Sequence, residues 1–208
     1  MPLNIDKEYA DLEAVNARFN DDLQRHIDGT LPKNHIYMLG NPGEILLSAG
    51  VRDLPIELSA KRLSKKASES YRHGHPFDIA DIKDLPKAMN NPIAVFDNTK
   101  DSETKVILTE LQHKGQNFVV VLDLRQSAGN GRNGTEMNDI ITIFPKDQLQ
   151  GILGKFNSVD DLLRWVDKEK ALYFISTQPT NLTGGGNKGR AINNAINKIN
   201  NFQNPFYP

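Results

Sequence analysis

Four apolar, β-branched runs stand close together in the second half of the chain: IAVFDN (93–98), KVILTELQHK (105–114), NFVVVLDLRQ (117–126) and NDIITIFP (138–145). Val, Ile, Phe and Thr suit a pleated, packed surface, and the Gly, Asn, Asp and Ser between the runs suit tight turns. This pattern predicts a four-stranded antiparallel meander. A polar, glycine-rich loop, SAGNGRNGTEM (127–137), separates the last two strands.

The flanking sequence reads as helices. Leu12, Val15, Phe19, Leu23 and Ile27 recur at three- and four-residue steps, which predicts one amphipathic helix over 6–28 ending at Gly29. IYML (36–39) is a short apolar run. GNPGEILLSAG (40–50) predicts a short helix stopped by Gly50, and LPIELS (54–59) is extended. AKRLSKKASESY (60–71) predicts a basic helix, and DIADIKDLPKAMNN (78–91) a helix broken at Pro86. After the meander, DQLQGILGKF (147–156) and VDDLLRWVDKEK (159–170) read as short helices. ALYFIS (171–176) suits a strand or a continued helix. The tail is rich in asparagine, with TGGGNKGR as a link and AINNAINKINNF as a weak terminal helix. Segregated elements of this kind predict an α+β class: N-terminal helices packed on a four-stranded antiparallel sheet, followed by short C-terminal helices. The predicted division is 1–34, 35–178 and 179–208.

The chain has 208 residues, no cysteine and a formal net charge of −1. Disulfides and thiolate metal sites are excluded. There is no run of about 20 apolar residues, so no membrane-spanning helix is expected. The polar start lacks the basic and apolar regions of a secretory signal, which predicts a cytoplasmic product or delivery to a target cell by another route. Charge is unevenly placed. Residues 6–28 carry seven acids and three bases, whereas residues 61–75 carry five bases and one acid. A local field of either sign acts over roughly 8–10 Å in physiological salt. The acidic first helix is therefore a candidate cover for the basic segment.

YRHGHPFD (71–78) concentrates two of the five histidines at the exit of the basic helix. An imidazole has a reference pKa of about 6.5 and suits proton transfer near neutrality. His73, His75 and Asp78 form an incomplete metal set, with no fourth ligand evident, so no metal and no cofactor are assigned. GGGNKGR lacks the Gly-Lys-Ser/Thr ending of a phosphate loop. His113, at the end of a hairpin strand, reads as an exposed turn residue. Glu110 is a minor candidate base.

The run YMLGNPGEILLSAGVRDLPIELS, followed by HPFDIADIKDLPKAMNNPIAVF, VILTEL, NFVVVLDL and NDIITIFPKD, resembles the MuF C-terminal domain family of phage and mobile-element proteins. The resemblance spans roughly residues 36–176. It implies a barnase–EndoU–colicin–RelE-like nuclease fold and a metal-independent endoribonuclease of toxin or effector type. The implied catalytic set is Lys65 or Lys66, His75, Asn138 and Thr142. The family commonly has serine at the Thr142 position, and threonine keeps the hydroxyl.

Arg72 joins this set as a phosphate-holding cation, and His73, Arg125 and Lys146 as substrate-binding candidates. On a regular strand Asn138 and Thr142 share one face. The implied partners are RNA and an immunity or antitoxin protein, with no membrane. The alternative is a non-catalytic binding or assembly module that keeps the same fold.

Overall fold

The computed structural model describes residues 11–68, 76–100, 103–124, 136–146, 149–177 and 187–206. The first described helix, α1 (Leu12–Ile27), is capped by Asp11, whose carboxylate accepts from the N–H groups of Glu13 and Ala14. Gly29, at φ 72°, sits just past its end in the left-handed region that favours glycine. Val15, Phe19 and Leu23 form its buried stripe. The elements then follow as β1 (Ile36–Met38), α2 (Glu44–Ser48), β2 (Ile56–Ser59) and α3 (Ala60–Ala67). A 3₁₀ turn (Ile79–Ile82), α4 (Leu85–Asn90), β3 (Ala94–Asp97), β4 (Thr104–His113), β5 (Gln116–Asp123) and β6 (Asn138–Pro145) come next. The chain closes with α5 (Leu149–Phe156), β7 (Leu163–Val166), α6 (Lys168–Thr177) and α7 (Asn187–Asn201).

The expected four-stranded antiparallel sheet is wrong. The sheet has seven strands in the order β1-β2-β6-β5-β4-β3-β7. The four apolar runs form its centre, and three short strands extend it. One of the six pairings makes the sheet mixed rather than a pure meander: β2 runs parallel to β6, with Ile56 opposite Asn138 and Glu57 opposite Asp139. The remaining pairs are antiparallel. The fold is mixed α+β.

Both sheet faces are covered. Val95, Ile107, Phe118, Val120, Leu122, Ile140 and Ile143 pack with Phe19 and Leu23 of α1, Leu46 of α2, Leu63 of α3 and Leu85 and Met89 of α4. Ala94, Phe96, Val106, Leu108 and Val119 pack on the opposite face with Ile152 and Phe156 of α5, Phe174 of α6 and Ala195 and Ile199 of α7. Burial on two sides explains why the central strands read as continuous apolar runs rather than alternating ones. The terminal helix α7 therefore docks, and α1 belongs to the same core as the sheet.

Two junctions depart from their sequence patterns. The break in 78–91 falls at Asp84, at φ 64°, and not at Pro86, which occupies the first turn of α4. Proline is tolerated there because that N–H has no helical partner. Asp84 is fastened to α1: Asn16 and Asn20 donate to its Oδ1 at 2.6 and 2.7 Å, and its own N–H donates to Asn20 at 2.9 Å. The segment 159–170, read as a helix, instead supplies edge strand β7 and the start of α6.

Candidate functional site

A cleft opens where the end of α1 meets α3 and the 3₁₀ turn. The stripe that buries Phe19 and Leu23 brings His26 to this place, seven residues beyond Phe19. On α3, Ala60 and Leu63 face the core while Lys61, Ser64 and Lys65 face outward. His26 and Ser64 line both sides of the cleft. On one side they join Leu31, Lys33 and Lys61 around about 640 Å³, and on the other Ser68, Phe77, Asp78 and Asp81 around about 620 Å³.

His26 is held at both ring nitrogens. Its Nε2 lies 2.8 Å from Ser64 Oγ and its Nδ1 2.6 Å from Tyr37 Oη. The Ser64 hydroxyl donates to Ala60 O at 3.0 Å. The proton inventory then assigns the hydrogen of His26 to Nε2, donating to Ser64, while the Tyr37 hydroxyl donates to Nδ1. Burial pushes the His26 pKa below its ordinary value, and nearby His35 pushes it the same way. Burial, then the Asp22 carboxylate, raises that of Tyr37, which stays a phenol. His35 packs edge-on to Tyr37 and sits 3.1 Å from Asp22. The result is an imidazole at a cleft wall whose charged form burial disfavours, connected to two hydroxyls and able to exchange tautomers between them.

Asp78 and Asp81 stand across the cleft. Asp81 Oδ2 is 2.5 Å from Nδ1 of His113, which is buried, contrary to its expected exposure. The reason is the turn that follows it. Lys114 and Gly115 both take positive φ, the two-residue hairpin turn that keeps His113 paired with Gln116 at the end of the sheet, under the 3₁₀ turn.

The structure scatters the described members of the predicted site. Lys65 is exposed and Lys66 half-buried near the cleft end of α3. Arg62, between them and β2, is turned away to Asp139 at 2.5 Å and Ile140 O at 2.7 Å. Asn138 is fully buried, its amide donating to Arg52 O and Leu54 O at 2.9 and 2.7 Å. Thr142 does not share its face. Ile140 pairs with Leu122 and Thr142 with Val121, so Ile141 is an extra residue. Such a bulge inverts the alternation. Ile140 and Ile143 therefore face the α1–α4 layer, and Thr142 faces the other way beside Val121. Lys146 is half-buried, 5.7 Å from the ring centre of Phe144, a residue of that second face. Glu110 is exposed and paired to Lys170 of α6 at 2.6 Å. Arg72, His73, His75 and Arg125 lie outside the described residues.

His26 was not singled out in the sequence, although its spacing from Phe19 and Leu23 carried the signal. Asp81 and His113, 32 positions apart, had none.

Set beside known proteins, residues 66–172 match the family model described as the Phage MuF-C-terminal domain, just over half of the chain. The chain belongs to this family. The match runs from the end of α3 to the first half of α6, so this MuF C-terminal domain chain carries α1, β1, α2 and β2 before it. The domain is phage-related. No curated protein and no solved structure matches it. No helix among the described residues is long and apolar enough to cross a membrane.

Proposed function

We propose that this MuF C-terminal domain is a phage effector module that cleaves RNA without a metal, at the cleft between α1 and α3. The observation that carries the proposal is His26, hydrogen-bonded to Ser64 at a cleft wall beside basic helix α3, with burial holding its pKa below the ordinary value. RNA supplies the polyanion that Lys61, Lys65 and Lys66 attract, and its 2′-OH supplies the nucleophile. His26, in the tautomer whose Nδ1–H donates to Tyr37, receives the 2′-OH proton at Nε2 through the Ser64 hydroxyl as that oxygen bonds to phosphorus. The bond to the 5′ oxygen breaks, and a second, protonated imidazole gives that oxygen its proton, leaving a 2′,3′-cyclic phosphate. His26 and His75 are the two imidazoles assigned. Arg72 and Lys66 are the phosphate-holding cations assigned, and Lys65 and His73 the further substrate-binding residues. Asn138, spent on two backbone carbonyls, and Thr142, on the far face, have no part in these steps. The side of the cleft lined by Lys33 and Lys61 also suits an acidic immunity protein as inhibitor.

A second reading, a non-catalytic RNA-binding or assembly module, is favoured by one observation: among the described residues, helices pack on both faces of the sheet. One experiment separates the two. Purified wild type, His26→Ala and His75→Ala are incubated with total RNA in EDTA, and the products are tested for cyclic phosphate ends. Cleavage by wild type, reduced about 10²-fold or more in each variant, is expected of general acid–base catalysis. RNA retention without cleavage selects the binding module. Cleavage unchanged in both variants refutes the assigned site.

A further inference from the structure

We propose that Asp78, Asp81 and His113 form a binding site for a divalent transition-metal ion of the zinc class. Each offers one ligand atom, and the three atoms all lie within 4.8 Å of one another. The local structure explains why. A 3₁₀ turn has three residues per revolution, so side chains at i and i+3 eclipse. Asp78, which caps the turn, and Asp81 therefore project to the same side. His113 reaches them from the end of β4, fixed by the Lys114–Gly115 turn and by burial, with its Nδ1 2.5 Å from Asp81.

The donor set fits the ion. Zinc takes imidazole nitrogen and carboxylate oxygen at about 2.0–2.2 Å, and open sites often have three protein ligands with a fourth position for water. Ligand atoms at that distance in tetrahedral geometry stand roughly 3.4 Å apart. Asp81 and His113, hydrogen-bonded at 2.5 Å, must open by about 1 Å to admit the ion, while Asp78, the exposed member of a cluster whose atoms lie within 4.8 Å of one another, is the side chain placed to close on it. Two carboxylates against a divalent ion leave the site neutral, where the ion-free cluster brings two acids together. The rival is a plain Asp81–His113 ion pair with Asp78 as a bystander. Only the metal site requires Asp78.

Because Asp78 and Asp81 also line the α1–α3 cleft, a bound ion would tie the 3₁₀ turn that carries them to His113 at the β4–β5 hairpin. The inference is independent of RNA cleavage, since no proton transfer proposed for His26 passes through these three residues.

The test is calorimetric titration of zinc chloride into the chelator-stripped full chain. Wild type should bind one ion, with a Tm rise of roughly 5–10 °C at zinc about a hundredfold above Kd. Asp78→Asn, an exposed and near-isosteric change, should bind at least about tenfold more weakly while melting like wild type in chelator. The His73→Ala/His75→Ala double variant should bind as wild type does. Absence of zinc binding, equal affinity in Asp78→Asn, or loss of binding in the double variant overturns the proposal. Since the RNA assay is run in EDTA, a failure there leaves this test untouched, and the converse also holds.

Discussion

Replacing Asn138 by alanine separates a structural role from a catalytic one. The Asn138 side chain is fully buried where β2 meets β6, and its amide donates to Arg52 O and Leu54 O. Arg52 O keeps a second donor, the Leu54 N–H at 2.8 Å, so it loses only part of its bonding. Leu54 O has no second donor among the described residues. Each lost hydrogen bond is worth about 1 kcal/mol, and a buried carbonyl left bare adds about 1 kcal/mol more. Against this, the Asn138 Oδ1 has no partner among the described residues, and its removal relieves some cost. The net expectation is a loss of about 2–3 kcal/mol, or roughly 5–10 °C in Tm for a chain of this size. Asn138→Asp should be worse, because a carboxylate would face two carbonyl oxygens with no proton to give. Urea unfolding of the three proteins, with matched m values, measures the difference directly. If Asn138→Ala loses less than about 0.5 kcal/mol, the two hydrogen bonds are not holding the turn, and the assignment of Asn138 to structure fails.

Three further outcomes follow from the same packing. Asp97 is buried between Lys105 at 2.6 Å and Arg164 at 2.6 Å, so Asp97→Ala leaves a buried lysine uncompensated and should cost about 3–5 kcal/mol by chemical denaturation. Asn204 bonds both backbone groups of Val166 on edge strand β7, accepting from its N–H at 2.9 Å and donating to its C=O at 2.8 Å. Asn204→Ala should cost about 1–2 kcal/mol and speed amide exchange at Val166. His26 titrates below its ordinary value when folded, so the unfolded chain binds more protons in the window beneath pH 6.5. Its contribution is complete above that pH and declines as pH falls through 6.5 toward the folded value. His26→Gln should flatten this part of the stability profile, and an unchanged slope would remove His26 as its cause.

The centre of the sheet was legible because local composition and periodicity specify it. Runs such as NFVVVLDL have few other structures open to them, and Lys114–Gly115 marks a hairpin. The same runs hid the second helical layer: a strand buried on two faces and one buried on a single face differ little over four residues. The parallel pairing of β2 with β6 joins Ile56 to Asn138, and no local pattern announces a partner so distant. Leu162, Leu163 and Val166 have helical spacing, yet Leu163, Trp165 and Val166 pair with β3 instead, a tertiary choice that overrides a short periodicity. At the site, the bulge at Ile141 decided the most. One inserted residue sends Thr142 to the other side, so a placement that regular alternation predicts is reversed. His26 was readable from its helix; the meeting of Asp81 with His113 depended on the finished fold.

The junction of β2 with β6 also bears on how this family should be handled at the bench. A polypeptide trimmed to residues 66–172 would begin after β2, stripping one side of β6 and the cover supplied by Phe19, Leu23, Leu46 and Leu58. It would present an unguarded ribbon of backbone donors and acceptors next to bare oil, the template from which strands of separate molecules stack. Boundaries drawn from the match alone should therefore give insoluble material, and starting at Asp11 should recover a well-behaved monodisperse preparation.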